Sequence, residues 1–231
     1  MSENYKIIWT GGEIEIDPLG CKMVPTFNLN GKNIKPLHEA GWLNDKSEEF
    51  NMLPGILQNL KGEFPCVPFG INSSVEELTQ DWKPSYSEEP YIVNEPHGYS
   101  SNKKWKLMDL QSHKAEFKID YPEKDFVNFL KRTIEVDDDE PYKINCSLEI
   151  SVKEDCDLPI GLHPMLRIPQ DTNKVKILTG NFKFGLNYPG LVLKDKTLGA
   201  IGKEFNRLEN VEGFSGNIID LSSPPFKGNY E

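Results

Sequence analysis

From Tyr142 to Val152 the chain alternates Ile144, Cys146, Leu148, Ile150 and Val152 with Lys143, Asn145, Ser147, Glu149 and Ser151. Successive side chains of an extended strand point to opposite sides, so a period of two sorts these residues onto two faces. The segment predicts a β-strand with one buried and one wet face. Further strands are expected at Lys6–Trp9, Glu13–Ile16, Met23–Leu29, Trp105–Leu110, Lys114–Ile119, Lys174–Leu178 and Phe182–Leu186, each short and bounded by Gly, Pro, Asn or Asp. Such spacing predicts an all-β sandwich. Asp125–Val136 gives a divided signal, because Phe126, Phe129 and Leu130 fit a helical stripe while Arg132-Thr133-Ile134-Glu135-Val136 reads as strand. Its second half is assigned to strand. Pro36–Gly70 and Glu76–Pro96, interrupted by prolines and charged residues, are expected to be long loops, and loops of that length in a compact domain are often functional.

The length of 231 residues is ample for a sizeable core, and a single domain over 1–231 is expected because no repeat or composition break marks a boundary. With 26 basic against 36 acidic residues the net charge is -10, which repels phosphate backbones and anionic lipid surfaces. Nucleic-acid and membrane partners are therefore not expected. The start Met1-Ser2-Glu3-Asn4-Tyr5-Lys6 lacks the basic and apolar regions of a secretory signal, and a cytoplasmic location is expected. Cys21, Cys66, Cys146 and Cys156 form no Cys-x-x-Cys pair, so each is expected as a reduced, packed thiol and no zinc-finger metal site is expected. The acidic run Asp137-Asp138-Asp139-Glu140 lacks the spaced ligands, central Gly and distal Glu of an EF-hand loop and reads as a solvated turn.

Signatures of nucleotide-binding loops, serine-hydrolase elbows and His-Glu-x-x-His zinc helices do not occur. What stands out is a pair of histidines in turn-forming sequence, His97 in Glu95-Pro96-His97-Gly98-Tyr99 and His163 in Leu158-Pro159-Ile160-Gly161-Leu162-His163-Pro164. Imidazole has the side-chain pKa closest to neutrality, so two of them in one cleft could exchange protons with a substrate. Each taken alone reads more readily as a turn residue bonded to nearby backbone. His38 and His113 sit in polar contexts with nothing to single them out.

The order Gly62-Glu63-Phe64-Pro65-Cys66-Val67-Pro68-Phe69-Gly70, then Pro96-His97-Gly98 with Trp105 soon after, then Leu158-Pro159-Ile160-Gly161-Leu162-His163-Pro164, resembles the aldose 1-epimerase (galactose mutarotase-like) superfamily. The first box is also similar to that of bacterial hexose-6-phosphate mutarotases. The resemblance spans roughly Gly11 to Glu231 and is strongest between Leu60 and Pro169. It implies a β-supersandwich with a sugar cleft, and interconversion of the α and β anomers of a hexose or hexose phosphate without a cofactor. It implies that His163 protonates the ring oxygen and that His97 holds the sugar oxygens and supports that transfer. Lys61 stands where related sequences place Arg, as a sugar or phosphate contact; its other reading is a solvent-facing cation before a turn. Asp220 matches a sugar-binding Asp, and equally an Asp that opens a Ser-rich turn. Trp42 and Trp105 are candidate walls for a sugar ring, with core burial the better reading for Trp105.

In one respect the chain departs from the resemblance. The base of that family is a Glu in a final block of strands, and Pro225-Phe226-Lys227-Gly228-Asn229-Tyr230-Glu231 resembles only the lead-in to that block. The expectation is a chain truncated before the block, completed differently, or working without that base. Three readings follow: a mutarotase-like enzyme on a small-molecule sugar, a non-catalytic carbohydrate-binding domain of the same fold, or a structural domain whose histidines are satisfied turn residues. The first is favoured, and all but the last require that His97 and His163 face one cleft within reach of a single sugar.

Overall fold

Two four-stranded antiparallel meanders carry most of the secondary structure. In the computed structural model the described residues are 4–43, 47–52, 55–71, 80, 95–169, 171, 175–188 and 199–224. The first meander is β1 (Tyr5–Trp9), β2 (Gly12–Asp17), β3 (Lys22–Leu29) and β4 (Lys32–Ile34), paired in sequence order. After it come two single-turn helices, α1 (Glu48–Asn51) and α2 (Gly55–Gln58), the short strand β5 (Pro65–Cys66) and the helix α3 (Gly98–Asn102). The second meander is β6 (Lys106–Leu110), β7 (Lys114–Asp120), β8 (Val127–Val136) and β9 (Ile144–Val152), again in sequence order. Then β10 (Gly161–Leu162) returns to pair antiparallel with β5.

All of these lie in one compact unit, formed by Met1–Asn72 and Tyr91–Arg167. Ile7, Trp9, Ile14 and Ile16 from the first sheet pack in one cluster with Ala115, Phe117, Ile119, Leu130, Ile134 and Val136 from the second. The alternation 115, 117, 119 on β7 is the period of two that buries one face of a sheet. A second unit, Ser73–Pro90 with Ile168–Glu231, contains two small hairpins among its described residues: β11 (Gly185–Leu186) with β12 (Glu204–Phe205), and β13 (Val211–Glu212) with β14 (Ile218–Ile219). Val211, Ile219 and Ala200 are buried apolar residues among those described in this unit.

The sequence reading needs correcting in several places. Asp125–Val136 is strand from Val127 onward, not only in its second half. The register on β9 shifts between Val127 and Phe129, which marks a β-bulge, and on either side of it Val127 and Leu130 are both fully buried. An extra residue turns an inward spacing of two into one of three, and three is the spacing that mimics a helical stripe. Strand β9 forms as predicted but is the last strand of its sheet, and its apolar face is only partly covered: Ile144, Leu148 and Ile150 are half-buried while Cys146 and Val152 are exposed. Val175–Leu178 is not strand, Lys174 lies outside the described residues, and of Phe182–Leu186 only the last two residues pair. Within Pro36–Gly70 the chain forms α1, α2 and β5. Glu76–Pro96 falls almost entirely outside the described residues.

On the inward face of β8, between Leu130 and Ile134, stands Arg132, fully buried. Its guanidinium forms an ion pair with the buried carboxylate of Glu63 and donates to the Cys21 carbonyl at 2.8 Å. Glu63 is in turn held to β3 by reciprocal backbone hydrogen bonds with Met23, both 3.0 Å. Removing one partner of such a pair strands a buried charge, which costs about 3–5 kcal/mol, whereas removing both costs much less. Arg132→Met is therefore expected to lower the urea midpoint by that order of free energy, and Glu63→Gln combined with Arg132→Met to recover a large part of it.

Candidate active site

The strand pairing brings together the two motif segments that carry the resemblance. Gly161 pairs with Cys66 and Leu162 with Pro65, and the ladder continues through His163 N–H to Phe64 O at 2.9 Å and Met165 N–H to Gly62 O at 3.1 Å. At the other end Phe69 N–H donates to Pro159 O at 2.6 Å. Gly62 is required where it stands. Its φ is +67°, and a Cβ there would lie 2.1 Å from the Met23 carbonyl oxygen.

His97 reaches the same place from the third segment. Its N–H donates to Gly70 O at 2.7 Å, and its backbone is left-handed, with φ 60° and ψ 19°, immediately before α3. The serines of that helix fasten it to β5. Ser100 Oγ donates to Pro65 O at 3.1 Å and accepts from Val67 N–H at 3.0 Å, while Ser101 Oγ lies 3.1 Å from Pro65 O and 2.6 Å from His97 O. Trp105 is buried beneath, its indole N–H bonded to Ser100 O at 2.8 Å, which makes it a core residue. Asn102 Nδ2 closes the turn onto Pro96 O and Gly98 O at 2.7 and 2.8 Å.

The imidazoles of His97 and His163 meet edge to face, with ring centroids 5.0 Å apart and planes at 75°. His163 is stacked flat on Phe64, at 4.8 Å and 7°, and Phe69 is tilted against His97 at 5.1 Å. The ammonium of Lys22, itself fully buried, lies over the Phe64 ring at 5.3 Å. Burial pushes the Lys22 ammonium down to about 8, against the pull of Asp17 in the opposite direction. Among the described residues, four buried side-chain atoms lack a hydrogen-bond partner: Lys22 Nζ, Glu63 Oε1, His97 Nδ1 and His163 Nδ1. Buried polar groups are nearly always paired. Lys22 and His163 lie against the Phe64 ring, Glu63 is the residue before it, and His97 lies against His163.

The other residues singled out from the sequence fall as follows. Lys61 is buried, not solvent-facing, and its ammonium is held by Asp17 at 2.9 Å. Asp17 also accepts from Asn59 at 3.0 Å and from Leu19 N–H at 2.9 Å; burial opposes its ionisation, but together these partners hold the carboxyl below its ordinary value. Trp42 is partly exposed and donates its indole N–H to Leu57 O at 2.8 Å. Asp220 is on the second unit, where its carboxylate accepts from Ser222 N–H at 2.8 Å and Ser222 Oγ at 2.6 Å, the geometry of an Asp opening a turn. His113 is bonded to Asp138 at 2.8 Å. Cys21 and Cys66 are buried thiols pushed up to about 12 and about 11 by desolvation, and all four cysteines are free. Among the described residues no group of three His, Cys, Asp or Glu side chains is placed to hold a metal ion, and no helix is long and apolar enough to cross a membrane. Phe64 and Phe69, the rings that position the two imidazoles, were legible only as part of a motif; Lys22 carried no signal at all.

Comparison with solved structures identifies the fold. A proposed aldose 1-epimerase from Escherichia coli K12 superposes with a TM-score of 0.54 at 11% identity, over 89% of this chain and 62% of that one. A galactose mutarotase-like protein from Lactobacillus casei ATCC 334 gives 0.50 at 14%, over 98% and 66%. A galactose mutarotase related enzyme from Lactobacillus acidophilus gives 0.51 at 12%, over 96% and 64%. No family model and no curated protein matches the sequence. The fold is thus an all-β antiparallel sandwich of the galactose mutarotase-like type. The chain spans less than two thirds of the length of these structures.

Burial, and secondarily the neighbouring His163, lower the pKa of His97 below the ordinary 6.5. Between that value and the lower folded one, the unfolded chain binds the additional proton. Stability tied to neutral His97 is thus complete above about pH 6.5 and is lost as pH falls toward the folded value. Imidazole NMR titration is expected to place the His97 midpoint below 6.5, and to move it upward in His163→Asn, where the second cause is gone.

Proposed function

We propose that the histidine pair is the acid half of an aldose 1-epimerase site acting on a hexose or hexose phosphate. The observation that carries this reading is the meeting of two imidazoles at 5.0 Å, each with a buried, unpartnered Nδ1. Two adjacent imidazolium ions repel, and burial together with this neighbour favours the neutral form of His97. The motif resemblance gives the proton donor's part to His163. That imidazole delivers a proton to the ring oxygen of the sugar as a base other than the two histidines takes the proton of the C1 hydroxyl; the C1 to ring-oxygen bond breaks, the C1–C2 bond rotates, and closure on the other face reverses both transfers. His97 donates a hydrogen bond to the oxygen on which charge develops, where a positioned donor accelerates most. The candidate sugar contacts of this reading are Trp42, Lys61, whose ammonium is held by Asp17, and Asp220, whose carboxylate is held by its own turn.

The stacking of His163 on Phe64 fixes the plane of the donor ring. The left-handed turn at Pro96-His97-Gly98 aims the second ring across it. A general acid held in place contributes typically ~10²–10⁴-fold. Exchange-spectroscopy NMR on glucose, galactose and their 6-phosphates is expected to show faster anomer exchange with the chain than with buffer, a loss of at least about 100-fold of that acceleration in His163→Ala, and a smaller loss in His97→Ala. Equal acceleration by the native chain and His163→Ala would sink the assignment.

A further inference from the structure

We infer that Phe69 is the platform on which the sugar ring stacks at this site, an inference that rests on the mutarotase reading above. The ring sits next to the chemistry: its centroid is 5.1 Å from that of His97, the planes inclined at 47°. Residues 61–68 are all buried, and at Phe69 the segment emerges, with 41% of the residue's surface open to solvent. Leaving a phenyl ring half in water forgoes a substantial part of its burial free energy, yet the backbone holds it firmly there through the Phe69 N–H to Pro159 O bond of 2.6 Å. The space the ring occupies is made by Gly161, since a Cβ at that position would lie 2.5 Å from Phe69 Cδ2 and 2.9 Å from Cγ. The φ of Gly161 is not positive, so the glycine serves the ring and not the backbone. One motif therefore supplies the ring, and the other supplies both the gap that seats it and, two residues on, His163.

The chemistry of that surface selects a ligand class. An aromatic face is electron-rich and apolar, and it is complemented by C–H groups that neighbouring oxygens have made slightly positive. A pyranose offers such a face where axial C–H bonds on alternate carbons, or the neighbouring C3–H, C4–H and C5–H of galactose, point to one side, while its hydroxyls project from the rim toward hydrogen-bonding groups. Seated on Phe69, a pyranose presents its rim to the imidazole of His97. Trp105 cannot serve in this way because it is buried in the core, 2% exposed. The expected ligand is thus a pyranose with an uninterrupted C–H face, and the role of Phe69 is to bind it and set its orientation, not to move a proton.

The test uses the full chain and anomer exchange of α-D-galactose and α-D-glucose, measured to saturation. Phe69→Ala and Phe69→Leu are expected to raise KM roughly tenfold with a far smaller change in kcat, and Phe69→Tyr, which keeps the aromatic face, to restore the native KM. Gly161→Ala should raise KM in the same way by displacing the ring, and in combination with Phe69→Ala it should add nothing, because its effect is transmitted only through that ring. An unchanged KM in Phe69→Leu, or additive effects in the double variant, overturns the platform and leaves the mutarotase reading standing. If the native chain does not accelerate exchange, it is the mutarotase reading that fails. The platform is then tested by saturation-transfer NMR with the same two sugars: transfer to the ring C–H protons that disappears in Phe69→Leu supports it, and equal transfer in both proteins overturns it.

Discussion

The buried ion pair between Arg132 and Glu63 is the constraint on which the site depends. Each charge has left water, a loss that only close pairing and further hydrogen bonds can offset. Arg132 projects from the inner face of one sheet, Glu63 is bonded to Met23 of the other through its backbone, and the guanidinium also takes the Cys21 carbonyl just before β3. A slip of either sheet along the other would separate these groups in a medium that cannot solvate them. The pair therefore sets the register of the sandwich at one point. That point is immediately before Phe64, on which His163 is stacked.

Outward from this anchor the structure is a sequence of satisfied polar groups ending in unsatisfied ones. The two serines of α3 bond to the backbone at Pro65, Val67 and His97, and the Tyr121 hydroxyl takes Val67 O at 2.6 Å. Asp17 is saturated by Lys61, Asn59 and Leu19 N–H. Against that background the Nδ1 atoms of His97 and His163 lack a partner, as do Lys22 Nζ and Glu63 Oε1 among the described residues. Among the described residues, two open recesses of about 400 and 350 Å³ lie in the second unit and contain no histidine.

Much of the sheet framework was legible because alternation reports burial directly: Lys114–Asp120 and Ile144–Val152 form where the period of two falls. Near Asp125 the same rule misled, since a bulge inserts a residue and counterfeits a helical spacing. Lys32–Ile34 carries no alternation to read, being three exposed residues that pair only along one side. For the candidate site, the motifs indicated which residues to watch but not what they touch. The approach of His97 to His163 follows from a two-residue pairing between Pro65–Cys66 and Gly161–Leu162, roughly a hundred residues apart in sequence, and no local pattern encodes a partner at that distance. The pairing of Lys61 with Asp17 is likewise absent from any local pattern, because that partner is also distant in the chain.

The backbone at His97 has a consequence for how such a turn tolerates change. A left-handed conformation strains a side chain with a Cβ by about 1 kcal/mol or more, and glycine relieves it. At this position the residue that would best suit the turn is the one that would delete the imidazole. Selection for thermal robustness alone would drift away from histidine here, so any stabilised descendant of this protein chosen without a functional screen is at risk of losing this side chain early.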